Sequence, residues 1–283
     1  TFATLNGSAD PNLGTTTGYF RYSTVSPGTC NDSFGTRAPA SGGTNLGSGT
    51  SQVGFAQALT GLTPGATYYF CAIATNGVGT GFGTVLSFLT PAPPAMTTLA
   101  ASLVTATSAT MNGSGNPNNA ATTAWVRYSA TNPIVCDDFF GTRVPSTGGV
   151  ALGAGAAPVN FAWATAGLLP GNTYYFCAIG SNSVGTSFGT VQSFTTPPTA
   201  PIMVTSTTTL ITGTTATLNG TGNPRGDAAT GWFRYGTVSP GTCNDTFGTR
   251  APAAGGTALG SGNTMLAYNV PITGLTPGTT VYF

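Results

Sequence analysis

The chain has 283 residues, with 42 Gly, 20 Pro and only 5% charged residues; its seven cations are all Arg, its six anions all Asp, and it has no Lys, Glu or His. Histidine triads, glutamate acids, lysine Schiff bases and phosphate-loop lysines therefore have no residues to build them. A net charge of +1 gives no field to gather nucleic acid or an anionic membrane, and the longest strongly apolar run, Tyr68 to Ala74, is far short of the roughly 20 residues a membrane-spanning helix needs.

Along the chain the strongest signal is repetition. Leu5-Asn6-Gly7 returns as Met111-Asn112-Gly113 and Leu218-Asn219-Gly220, Arg21-Tyr22 returns as Arg127-Tyr128 and Arg234-Tyr235, and Gly61-Leu62-Thr63-Pro64-Gly65 returns at 167–171 and 274–278. One unit is used three times, which predicts domains over 1–93, 94–199 and 200–283. The junctions, Pro91-Ala92-Pro93-Pro94 and Pro197-Pro198-Thr199-Ala200-Pro201, favour extended, semi-rigid spacing. Residue 1 falls at the second strand of a unit, and Tyr282-Phe283 stops where the earlier units continue into Cys71 and Cys177. The expectation is a window on a longer array, with incomplete first and last units and Cys as the residue after Phe283.

The predicted elements are strands. An aromatic strand surrounds Tyr19-Phe20-Arg21-Tyr22; Thr67–Ala74 and Thr84–Leu89 follow, and Ala124–Tyr128 resumes the series in the second unit. These runs are rich in aromatic and β-branched residues and bounded by Gly, Pro and Asn. No stretch of about a dozen residues has helical apolar spacing free of Gly or Pro. Alternation along Thr67–Ala74 predicts Tyr68, Phe70, Ala72 and Ala74 facing a core and Tyr69, Cys71 and Ile73 facing away. By the same rule Phe20, Val126 and Phe233 lie opposite Tyr19, Trp125 and Trp232, so that one set faces the core and the other faces out with Arg21, Arg127 and Arg234.

Leu62-x-Pro64-Gly65-x-x-Tyr68-x-Phe70-x-Ala72-x-Ala74-x-Asn76, closing with Phe88-Leu89-Thr90-Pro91, resembles the second half of a fibronectin type III domain. Leu168 to Asn182 with Phe194 to Pro197 repeats the pattern. The front half is similar to tandem fibronectin-like repeats of bacterial surface proteins. The resemblance implies an all-β array of three fibronectin type III-like sandwiches, each of seven strands with a tyrosine corner, and an extracellular spacer, adhesive or structural role. The units depart from that family in extra length after the third strand and in carrying a cysteine pair.

Cys30 and Cys71 are 41 residues apart, as are Cys136 and Cys177, and Cys243 has no later cysteine to match; its partner would fall just beyond the end. Equal spacing argues for intradomain disulfides, each closing a loop that contributes roughly 4 kcal/mol on the chain-entropy model and pointing to an oxidising, secreted or cell-surface setting. Buried free thiols are the alternative; two thiolates are too few for a metal site. If Cys71 faces away from the core, the bond ties the outer face of its strand to the segment after the third strand.

That segment reads Cys30-Asn31-Asp32-Ser33-Phe34-Gly35-Thr36-Arg37, and returns with Asp138 and Arg143, then Asp245 and Arg250. The reading is a loop pinned by an Asp–Arg pair and a buried Phe; a weak cation site on Asp32, Asn31 and carbonyls is the alternative. For Tyr19, Arg21, Trp125, Arg127, Trp232 and Arg234 two readings stand: an exposed aromatic and Arg face for sugar rings or a neighbouring molecule, or a face over which the long insertion folds. Arg225-Gly226-Asp227, an integrin-recognised tripeptide elsewhere, reads as a turn. Five Asn-x-Ser/Thr sequons, at Asn6, Asn31, Asn112, Asn219 and Asn244, read equally as turns, and the Gly-rich run Gly42 to Gly49 reads as a loop.

A surface this poor in charge favours association over solubility. The expectations are a non-enzymatic structural repeat of a long secreted protein that forms or coats a filament or surface layer, with self-association and without cofactor, metal, nucleic acid or membrane insertion. The alternative is a stalk or adhesin array whose outer faces touch glycans.

Overall fold

The computed structural model describes residues 1–283 as strands and turns without a helix. The first unit contains β1 (Phe2–Ala9), β2 (Thr16–Ser23), β3 (Thr36–Ala38), β4 (Thr44–Gly47), β5 (Val53–Thr60), β6 (Thr67–Thr75), β7 (Thr80–Phe82) and β8 (Leu86–Leu89). The second contains β9 (Ala95–Ser102), β10 (Ser108–Asn116), β11 (Thr122–Ser129), β12 (Thr142–Val144), β13 (Val150–Gly153), β14 (Val159–Ala166), β15 (Thr173–Ser181), β16 (Thr186–Phe188) and β17 (Gln192–Thr195). The third contains β18 (Ile202–Thr209), β19 (Thr215–Asn223), β20 (Ala229–Gly231), β21 (Phe233–Tyr235), β22 (Thr249–Ala251), β23 (Thr257–Gly260) and β24 (Leu266–Thr273).

The second unit shows the complete architecture. Sheet β14-β10-β9 faces sheet β12-β11-β15-β16, with β13 continuing the β12 edge against β11 and β17 continuing the β16 edge against β15. All pairs are antiparallel. This is the two-layer sandwich implied by the fibronectin type III resemblance. The expected strand Thr84–Leu89 is present in shortened form as β8, and a separate β7 precedes it: β7 pairs with the far end of β6 and β8 with its near end. Between them Gly83 N–H bonds the Ala72 carbonyl. The run Gly42 to Gly49, read as a loop, contributes β4, which pairs with β2.

The inward set is the one that alternation requires. Met111, Val126, Phe161, Phe176 and Phe194 share one core, Leu5, Phe20, Phe55 and Tyr68 another, and Leu218, Phe233 and Tyr268 a third. Burial of such aromatic and branched side chains drives the collapse of each unit, at roughly 1.5–3 kcal/mol per fully buried apolar side chain. The glycine of each Leu/Met-Asn-Gly element lies where the sheets approach. A Cβ on Gly7 would come within 2.7 Å of the Ala72 Cβ, and one on Gly113 within 2.6 Å of the Phe161 ring.

The tyrosine corner is present twice. The Tyr68 hydroxyl accepts from Thr63 N–H at 3.1 Å and Tyr174 accepts from Leu169 N–H at 2.9 Å. Beside it, a buried threonine closes the turn. Thr196 donates to the Leu169 carbonyl at 2.6 Å and accepts from Asn172 N–H, as Thr90 does with Thr63 and Ala66. The Thr-Pro ending of each pattern is thus a clasp on the turn before β6 or β15.

The proline-rich junctions are held by specific bonds. Asn182 donates to the carbonyls of Ala92 (2.8 Å) and Pro117 (3.2 Å), while its own carbonyl accepts from Val184 and Gly185 N–H. Ala92 N–H bonds the Asn118 carbonyl, and Asn118 donates back to Pro93. At the second junction Asn263 reaches the Pro170 carbonyl of the preceding unit at 2.8 Å. Gly226 lies close enough to Pro170 and Gly171 that a Cβ on either glycine would strike the other's backbone. Arg225-Gly226-Asp227 is therefore an inter-unit contact, with Arg225 and Gly226 at positive φ. Asn182→Ala is expected to free the linker from the second unit and to broaden the hinge. Small-angle scattering would show a wider distribution of end-to-end distances, and an unchanged distribution would refute the lock.

Candidate interaction face and the loop that covers it

The β2–β3 register sets Arg21 directly opposite Arg37, and its counterparts set Arg127 opposite Arg143 and Arg234 opposite Arg250. Like charges facing each other across a strand pair destabilise it, and each unit resolves the conflict in the same way. Asp32 pairs with Arg21 Nε at 3.0 Å, Asp138 with Arg127 Nε at 2.8 Å and Asp245 with Arg234 Nε at 3.1 Å. The other arginine turns away over a ring: Arg37 lies 3.8 Å from the Tyr19 centroid, Arg143 4.5 Å from Trp125 and Arg250 4.6 Å from Trp232. Each also donates to two loop carbonyls, Arg37 to Pro39 and Gly42, Arg143 to Pro145 and Gly148, Arg250 to Pro252 and Gly255.

The expected pairs Asp32–Arg37, Asp138–Arg143 and Asp245–Arg250 are accordingly corrected: the aspartate bonds the arginine of the preceding strand. Nearness in sequence favoured the wrong partner, whereas the strand register places both arginines within reach and the aromatic face claims one. The prolines accepting from Arg37, Arg143 and Arg250 each follow a cis peptide bond, which no sequence signal announced.

Of the two readings of the aromatic face, the exposed interaction surface is corrected in the first two units, where the alternative holds and the insertion folds over it. Tyr19 is 4% exposed and Trp125 7% exposed. Tyr19 packs with Cys71, Ile73, Cys30, Phe34 and Val85, and Trp125 with Cys136, Cys177, Ile179, Phe140 and Val191. The disulfides Cys30–Cys71 and Cys136–Cys177 staple the insertion onto this face, with Cα–Cα separations of 6.0 and 6.1 Å. Cys71 does sit on the outer side of its strand, as alternation predicted; the outer side is a second apolar seam, roofed by the loop. Trp232 retains 36% exposure, and Cys243 is free and exposed. The indole N–H groups of Trp125 and Trp232 donate to Asp138 (2.8 Å) and Asp245 (2.9 Å), so one carboxylate orients both the ring and the guanidinium.

The loop's own turn is made by the residue after the first cysteine. Asn31 accepts from the N–H groups of Ser33 and Phe34, Asp137 from Phe139 and Phe140, and Asn244 from Thr246 and Phe247. The sequons at Asn31 and Asn244 are therefore turns, as read. Those at Asn6, Asn112 and Asn219 are not: they lie within β1, β10 and β19. Asn112 there donates to Ala100 and Ser102, and Asn219 to Thr207 and Thr209.

Burial pushes the Asp32 carboxyl up, but hydrogen bonds from Tyr19 and Arg21 and the charges of Arg21 and Arg37 outweigh it and hold the group below its ordinary value. Asp245 is also held low, first by the Trp232 hydrogen bond and then by Arg234. A folded value below the unfolded one means that the contribution to stability is complete above the unfolded carboxylate value and is lost as pH falls through the folded one. Loop order is therefore expected to be level between about pH 5 and 8 and to fail only below about pH 4. Trp232 emission followed through an acid titration checks this in the third unit; a transition near pH 6 would contradict it, and Asp245→Asn should remove the acid step there.

No family model matches the chain, and no curated protein does. Among solved structures it is similar to the FN1–FN3 domains of chicken CNTN1, at 10% identity and a TM-score of 0.29. That likeness covers 65% of this chain and 57% of that one.

Proposed function

We propose that this chain is a structural repeat segment of a long secreted protein that forms or coats an extracellular filament or surface layer. The observation that carries the reading is the stapled roof: in the first two units the insertion is bonded by a disulfide over the one aromatic face that would otherwise serve as a sugar platform. A roofed face is a stability device, and disulfides of this kind persist in an oxidising extracellular setting. The bonded junctions support a stiff row of beads, and the charge-poor surface favours lateral packing of rows. The second reading is a stalk or adhesin array whose outer faces touch glycans.

Electron microscopy of the native material without denaturant tests the first reading. Uniform filaments or sheets with a regular axial repeat are the expected result. Isolated rods projecting from cells would overturn it in favour of the stalk.

A further inference from the structure

In every unit one strand forms a free sheet edge: β5, β14 and β24 pair on one side only, with β1, β10 and β19. In the second unit this edge is on the far side of the sheet from β9, so every strand of that sheet is in place beside it. The third unit shows which way the edge groups point. Pro271 of β24 lies opposite Thr217 in a ladder that runs unbroken from Thr215↔Thr273 to Gly222↔Leu266. Proline has no N–H to give, so its position is one whose main-chain groups point away from β19 and off the free edge.

The counterparts of Pro271 are Ala58 and Ala164, and there the N–H is present. With the period of two along a strand, Asn160, Ala162, Ala164 and Ala166 turn their N–H and C=O groups off the edge of β14, and all are exposed. On β5 the Gln57 side chain caps one such group, the Ala58 carbonyl, at 2.9 Å. Trp163 stands at the Gln57 position in the second unit, and no side chain caps β14. The three edges thus differ: β24 is blocked by proline, β5 is partly capped and β14 is bare.

The remaining edges of the second unit are closed. β12 and β13 are short and separated by the loop holding Pro145, with Arg143 on the first of them. β16 and β17 are separated at 189–191. β9 turns onto the opposite sheet, where the Thr98 hydroxyl accepts from Ala178 N–H at 3.0 Å. Breaks, short strands, charge and proline are the devices that keep sheet edges from pairing. β14, eight residues long, has none of them.

We propose that the free edge of β14 is a seam at which a second copy of this chain pairs, β14 against β14, antiparallel about a two-fold axis. The edge offers main-chain groups, methyl groups and one amide, with no charge to select a foreign side chain. What fits it is an uncharged extended strand with small alternate residues, and β14 is itself that strand. The register that uses every outward residue sets Ala162 opposite Ala164 of the second copy and Asn160 opposite Ala166, each pair exchanging two hydrogen bonds. Such a contact is self-complementary and closes as a dimer. It rests on the filament or layer reading above and gives the lateral packing of rows a definite surface.

The test uses the 283-residue chain with its exposed Cys243 alkylated, so that no disulfide joins two copies. Sedimentation equilibrium should show a monomer–dimer equilibrium. Ala164→Pro should weaken the dimer roughly tenfold or more, through the lost N–H and the acceptor it orphans on each copy. Its thermal midpoint should be retained, since the third unit's ladder accommodates Pro271 at the same place. Ala58→Pro, the same change on β5, should leave the dimer intact. In the unaltered chain, hydrogen exchange should show protection that rises with concentration at the amides of Ala162, Ala164 and Ala166. A chain that stays monomeric, a dimer that survives Ala164→Pro or is lost on Ala58→Pro, or protection confined to other strands would each overturn the seam. Filaments in the native material without a dimer of the purified chain would overturn the seam and leave the filament reading standing; a dimer without native filaments would do the reverse.

Discussion

Replacing Cys136 and Cys177 together by alanine is expected to lower the stability of the second unit by about 4 kcal/mol, the chain-entropy value for a closed loop of this length. The two residues are 41 apart in sequence, so most of the loss arises in the unfolded chain, which gains freedom when the link is cut. A domain of this size should lose roughly 15 °C or more in its thermal midpoint. The roof should loosen before the sandwich melts, because without the staple it is held by the bonds of Arg127 to Asp138, Phe140 and Gly141, those of Arg143 to Pro145 and Gly148, the Trp125 bond and the packing of Phe140. Trp125 emission would then shift to the red at temperatures where the far-ultraviolet strand signal is still intact. Coincident transitions, or a midpoint shift below about 5 °C, would show that the roof and the sandwich are one cooperative unit that does not depend on the bond.

Gly113→Val is expected to cost about 3 kcal/mol through overpacking. A Cβ at this position would be 2.6 Å from the Phe161 ring and 2.9 Å from the Ala178 Cβ, and these belong to opposite sheets, so relief on one side worsens the other. Gly54→Val provides the comparison: it also lies in a strand, but nothing stands within 4 Å of its Cβ position, and the expected change is within about 0.5 kcal/mol. Urea unfolding of both variants decides the matter. Equal midpoints would mean that the sandwich widens at little cost.

Much of this architecture was readable from residue order because its causes are local or repeated. Alternation along Tyr68 to Ala74 told which side of the strand Cys71 takes, and equal spacing told which cysteines meet. The Asp32 partner was not readable, since the choice between Arg21 and Arg37 depends on a cross-strand register and on Tyr19 accepting one of them as a stacked cation. The roof over Tyr19 and Trp125 was an even choice in sequence for a related reason: whether a long insertion folds back depends on what it finds to cover. Asn112 misled because Asn-Gly usually marks a turn, whereas here the glycine is needed for sheet approach and the asparagine bridges to the neighbouring strand.

Of the seven arginines, three are bonded to aspartates and three lie over aromatic rings. Arg225 alone, with Asp10, Asp137 and Asp227, carries charge outside these clasps. The exterior is consequently dressed in hydroxyls, amides and methyl groups, to which dissolved ions are nearly indifferent. Fresh water, sea water and drying brine would present themselves to such a coat as almost the same medium.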